Sequence, residues 1–179
     1  MGTVYTSILY KENLYLGTNQ GLFYKKFNSD ENFNLVENTE GQVWFLKNID
    51  DLLFCGHDKG TYIIKNNKTI NLISKSIGTW NIKTLTNQKS ILLQGNYQGL
   101  SILEKNNGFW RFRNKIKGID FSSRFFELYK SKIYVNHELE GFYELKLNKN
   151  LTAVTDKHEI KLAEMGYGSN VFKFSNDLL

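Results

Sequence analysis

The residues of this 179-residue chain best equipped for chemistry are three histidines, one cysteine and a scatter of carboxylates. His57, His137 and His158 lie far apart in sequence. A metal site would need their ring nitrogens to converge within a few ångströms. Solvated turn histidines are the plainer reading, so neither a metal nor a cofactor is expected. Asp50-Asp51, and Glu138 with Glu140, fall in polar stretches where turn residues belong anyway. Cys55 is the only cysteine, has no second thiol to pair with, and reads as a small buried apolar residue. No nucleophile motif accompanies these groups, and catalysis needs groups placed to exchange protons or attack. The chain is expected not to be an enzyme.

Charge adds little. The net charge of +5 comes from 23 basic and 18 acidic residues spread along the chain. Direct nucleic-acid contact would want the basic groups gathered on one face. The densest set, Arg111, Arg113, Lys115 and Lys117, alternates as in a strand and so projects to one side. A solvated strand edge that deters edge-to-edge pairing accounts for it; an anionic-ligand or membrane-surface patch is the alternative. No apolar run is long enough to span a bilayer, and MGTVYTSILY lacks the pattern of a signal peptide.

The elements that would position any of these residues repeat. Leu14–Phe27, LYLGTNQGLFYKKF, returns as LLFCGHDKGTYIIK from Leu52, ILLQGNYQGLSILEK from Ile91 and KIYVNHELEGFYELKL from Lys132. Each copy is an apolar strand, a polar turn closed by glycine and a second apolar strand. The closing glycines, Gly21, Gly60, Gly99 and Gly141, give steps of 39, 39 and 42 residues. An earlier glycine, Gly17, Gly56 and Gly95, reads as His137 in the fourth copy. Aromatics at 15% suit strands, and with no proline the turns rest on Gly, Asn and Asp.

A period near forty with four strands per copy predicts β-propeller blades, an all-β fold. A generic β-sandwich has no reason to repeat a turn sequence at constant spacing. Blades are expected over 3–38, 42–75, 79–114 and 123–157, in a single partial propeller domain covering 1–179. Within them, Asn32–Asn38 and Leu151–Thr155 are expected as fourth strands, and Leu14–Phe27 as the outer half of a blade. The stretch Lys117–Ser123 looks like an insertion, and 169–179 like the opening of a further blade. Four blades and a start suggest a fragment of a larger ring, or two copies meeting through exposed blade faces as a homo-oligomer.

The repeats resemble the two-component regulator propeller repeat, whose core reads roughly L-W-I-G-T-x-x-G-L-x-x-Y. Leu14, Leu16, Gly17, Thr18, Gly21 and Leu22 match it, with Tyr15 at the usual tryptophan, and Val43–Leu46 resembles the family's first strand. Thr follows the first glycine only at Thr18. The resemblance implies an extracytoplasmic, periplasmic sensor propeller of a bacterial regulator. Its partners would be further blades and a downstream signalling or DNA-binding output, with carbohydrates as ligands of some members.

A binding module is therefore the expected function, with the turns between second and third strands and the connections between blades at one end of the ring. The residues placed to face a ligand are Asn19, Gln20, His57, Asp58, Asn96, Tyr97, Gln98 and Glu138, joined by Trp80 and Arg124 ahead of first strands. Amides and carboxylates beside aromatics suit a small-molecule or glycan ligand, whose apolar faces stack while its hydroxyls bond. The same composition describes plain solvated turns. Trp44 and Trp110 read as blade packing. A protein-interaction scaffold and a glycoside-processing enzyme are the alternatives, the latter needing two converging carboxylates.

Overall fold

The computed structural model describes residues 2–85, 88–137, 139–162, 169–175 and 177–178. Among these residues there is no helix. The first sheet comprises β1 (Val4–Tyr10), β2 (Asn13–Thr18), β3 (Leu22–Lys26) and β4 (Asn34–Leu35); the second β5 (Val43–Ile49), β6 (Leu52–His57), β7 (Gly60–Lys65) and β8 (Lys68–Ser74). The third comprises β9 (Asn81–Leu85), β10 (Gln88–Asn96), β11 (Gly99–Asn106) and β12 (Phe109–Lys115); the fourth β13 (Phe125–Tyr129), β14 (Lys132–His137), β15 (Gly141–Leu147) and β16 (Val154–Glu159). Each sheet is antiparallel and keeps its strands in chain order. A short hairpin, β17 (Lys173–Phe174) with β18 (Asp177–Leu178), follows. Residues 1–79 form one compact unit with the first two sheets, and residues 80–179 a second with the rest.

The turn residues dictate this hairpin order. Asp50-Asp51, Asn66-Asn67, Asn107-Gly108 and Lys130-Ser131 have positive φ at both positions. That is the signature of the two-residue type I′ turn, whose twist matches the flanking strands and fixes their register. Asn, Asp and Gly reach this backbone most easily, so the polar pairs seen in sequence have a structural reason.

The second strand of each sheet occupies an interior position. In β6, β10 and β14 consecutive residues are buried, so both faces of the strand are covered. Leu14–Phe27 thus supplies the central pair β2–β3, not an outer half. In the first unit Tyr10, Tyr15, Leu22, Val43, Leu53 and Ile64 belong to one core. In the second, Leu93, Ile102, Phe126, Val135 and Leu145 do the same. Truncating a buried side chain such as Phe126 costs about 3–5 kcal/mol in cores of this kind.

Three local readings of the sequence change. The fourth strand of the first sheet is only two residues long, because the Thr39 hydroxyl accepts the Leu22 N–H at 3.1 Å where a strand carbonyl would serve. The last strand of the fourth sheet begins at Val154 rather than Leu151. Asn148 holds the preceding residues in a turn, its Oδ1 accepting the Thr152 N–H at 2.8 Å, with Leu151 at φ 57°. The insertion-like stretch is a tie: the Lys117 N–H donates to Thr152 O at 2.9 Å and the Val154 N–H to Lys117 O at 2.8 Å, a parallel bridge beside the fourth sheet.

Arg111, Arg113 and Lys115 of the basic stripe lie on β12, an edge strand, and Lys117 lies beyond its end. Arg111 pairs with Glu104 at 3.0 Å and Lys115 with Asp120 at 2.9 Å, while Arg113 donates to Asn150 O at 2.8 Å. Cys55 is fully buried, and desolvation pushes its thiol pKa far up, so it is a packing residue. Trp110 is buried as expected, and Trp44 stacks on Tyr5 with ring centroids 4.7 Å apart.

Candidate functional site

The turns between second and third strands share one chemical device. Thr18 Oγ1 accepts the Gln20 N–H at 3.0 Å. His57 Nδ1 accepts the Lys59 N–H at 3.0 Å, and His137 Nδ1 accepts those of Leu139 and Glu140 at 3.2 and 3.1 Å. Three turns thus receive a side-chain acceptor for amides that have no strand partner.

Two expected ligand-facing residues are out of solvent, His57 through this device and Asn96 through bonds to its strand neighbours. His57 is fully buried, with Nε2 3.2 Å from Thr39 O. With Nδ1 accepting, the proton sits on Nε2 and the ring is neutral. Burial holds its pKa below the ordinary value, outweighing the opposite pull of the Asp58 carboxylate beside Nδ1. Asp58 Oδ1 receives no hydrogen bond in return. Asn96, 3% exposed, turns inward: it accepts from Gln94 Nε2 at 2.5 Å and donates to Ser101 Oγ at 2.9 Å. Asn19, Gln20 and Gln98 are exposed. Glu138 lies outside the described residues.

The second unit gathers the others. Trp80 and Arg124 hold corresponding places, immediately ahead of β9 and β13. Tyr97 packs on Trp80 with centroids 5.0 Å apart, and the Arg124 guanidinium lies 4.9 Å from the Trp80 ring and 5.0 Å from that of Phe125. Trp80 Nε1–H donates to Ser122 Oγ at 2.9 Å. Beside them opens a hollow of about 230 Å³, lined by Trp80, Ser122, Arg124, Phe125, Asn136, His137 and Leu139.

Strand register explains the hollow and corrects one equivalence. His57 pairs with Gly60, Asn96 with Gly99 and His137 with Gly141. His137 therefore corresponds to His57 and Asn96, and the place of Gly56 and Gly95 falls to Asn136, with the turn one residue longer. Those glycines face an incoming backbone: a Cβ on Gly95 would lie 2.2 Å from Ser123 O. At Asn136 a side chain occupies this ground. It is 3% exposed, and its Oδ1 is buried with no hydrogen-bond donor. Sequence reasoning missed Asn136, His137, Ser122 and Phe125; the missing glycine of the fourth copy was the available signal.

Among the described residues no group of three His, Cys, Asp or Glu side chains could hold a metal. The second-unit cluster offers recognition groups: an indole, a stacked guanidinium, an imidazole and an unsatisfied amide oxygen.

No family model matches the chain, and no curated protein does. Solved structures do. The extracellular domain of the putative hybrid two-component system BT3049 from B. thetaiotaomicron is similar at TM-score 0.62 and 19% identity, over 95% of this chain and 24% of that one. The WD40 β-propeller domain of Doa1 matches at 0.59 and 15%, over 92% and 55%. An ancestral GH74 enzyme matches at 0.58 and 13%, over 91% and 24%. The chain thus spans about half of the Doa1 domain and about a quarter of the other two. With its four consecutive four-stranded antiparallel sheets, this likeness makes the fold that of a β-propeller.

Proposed function

We propose that this chain is a ligand-sensing propeller segment of a bacterial signal-transduction protein, that it binds carbohydrate, and that it performs no chemistry of its own. In this reading it belongs with the two-component regulator propeller repeats, works outside the cytoplasm, and passes its signal to further blades and an output module. The fold neighbours from hybrid two-component systems and the match around Leu14–Leu22 support it. One observation carries it: Asn136, whose buried Oδ1 has no hydrogen-bond donor, is among the residues that line the hollow beside Trp80. An unmade hydrogen bond of this kind costs about 1–3 kcal/mol, which a ligand hydroxyl would recover once a small shift of the amide bared that oxygen, while Trp80, Phe125 and Leu139 offer apolar surface to a sugar ring.

Titration calorimetry of the 179-residue chain against a panel of neutral and acidic oligosaccharides tests this. At least one is expected to bind, and Trp80→Ala to weaken it by about tenfold, equivalent to about 1.4 kcal/mol. The bound sugar is expected to be recovered unhydrolysed. A panel without binding would remove the carbohydrate reading, and turnover would replace it with a glycosidase.

A further inference from the structure

We infer that the hollow selects an acidic saccharide, a sugar ring bearing a carboxylate, and that Arg124 is the residue that reads the charge; this rests on the carbohydrate reading above. Three groups around the hollow have unmet needs, and together they describe one ligand.

The first is Arg124. Its guanidinium is stacked over Trp80 and Phe125, and among the described residues it has no carboxylate partner, whereas Arg111 and Arg113 both approach Glu104. The planar fork of guanidinium N–H donors fits a carboxylate bidentately. No acidic residue lines the hollow among the described residues. The second group is His137. Its Nδ1 is occupied by two backbone N–H donors, so the proton is on Nε2 and the ring offers one donor. The third is Asn136, whose Oδ1 needs a donor and has none.

A neutral sugar meets the needs of Asn136 and His137 and leaves Arg124 idle. A bare anion meets Arg124 and leaves the buried amide oxygen unpaired. A hexuronate, with ring hydroxyls to donate and a carboxylate to accept, meets all three. The hollow, at about 230 Å³, is smaller than the sites that enclose drug-sized ligands, so a single terminal residue of a longer acidic chain fits its scale.

Calorimetry with digalacturonate and its neutral counterpart galactobiose, at low and physiological salt, decides the matter. Digalacturonate is expected to bind at least tenfold more tightly at low salt, with the preference narrowing as salt screens the exposed guanidinium. Arg124→Gln is expected to bring the ratio of digalacturonate to galactobiose affinity down to about one, and Arg124→Lys to retain part of the preference. Thermal melts of both variants confirm folding. Equal affinity for the two sugars, or a preference that survives Arg124→Gln, overturns the inference and leaves the carbohydrate reading standing. Acetate competing as well as digalacturonate, mole for mole, also overturns it by showing a simple anion site. Failure of both sugars to bind overturns the inference, and the wider oligosaccharide panel then decides the carbohydrate reading separately.

Discussion

Two turns built on the same plan have opposite fates. The turn after β6 is closed: His57 is sealed between the Thr39 carbonyl and the Lys59 amide, and Gly56 leaves room for the incoming Thr79 backbone, whose oxygen would sit 2.6 Å from a Cβ. The turn after β14 is open. It keeps the histidine acceptor, gains one residue, and carries Asn136 where the glycine stood. Identical capping chemistry therefore serves a packed joint in one unit and the rim of a hollow in the other. The difference lies in one backbone-facing position rather than in the polar residues of the turn.

The largest test of this comparison exchanges those positions. Gly95→Asn would force a side chain against Ser123 O at a site with no spare room, and overpacking of this sort costs about 3 kcal/mol. Asn136→Gly sets the relief of a buried, donor-less oxygen against the looser backbone of a strand glycine and is expected to cost less than that. Urea melts of the two variants measure both; equal losses would show that the fourth turn is as tightly packed as the third.

A smaller effect separates the two histidines. His57→Ala leaves the buried Thr39 carbonyl and the Lys59 N–H without the ring as partner and is expected to cost about 2 kcal/mol, whereas the rim residue His137 has less to lose. Burial lowers the His57 pKa from its ordinary 6.5, so the unfolded chain binds the proton more readily. The stability due to the neutral ring is complete above pH 6.5 and declines as pH falls from there through the native pKa. Thermal midpoints between about pH 5 and 7.5 should follow that slope, and His57→Thr, which copies the Thr18 cap, should flatten it. Asp58, Glu40 and Lys59 are the charged neighbours acting on the ring. The smallest change is a gain: Ser131 has φ 63° in its type I′ turn, and Ser131→Gly should add about 0.5 kcal/mol in a thermal melt, since glycine reaches that backbone without strain.

The propeller class was legible because glycine-closed turns at a near-constant step reflect a repeated backbone need, visible without any side-chain contact. The site was legible only where residue type and place coincided, as with Trp80, Tyr97 and Arg124. His57 and Asn96 looked solvated because polar residues in turns usually are, and nothing in sequence shows that a ring nitrogen is spent on the turn itself or an amide on residues of the flanking strands. Asn136 escaped because counting back from Gly141 assumes equal turn lengths. Only the pairing of His137 with Gly141 exposes the extra residue. The start of β16 escaped similarly, through a turn set by the Asn148 side chain.

The tie between Lys117 and Val154 bears on how the second unit comes apart. A hairpin at the end of a sheet ordinarily frays by itself, and its amides exchange with solvent at a rate set by that local opening. Here the Val154 amide, at the head of β16, is locked to a segment that leaves the third sheet, and that segment's own amide is locked in return. Exposing either requires both to open, so the outer strand of the fourth sheet shares the cooperativity of its neighbour.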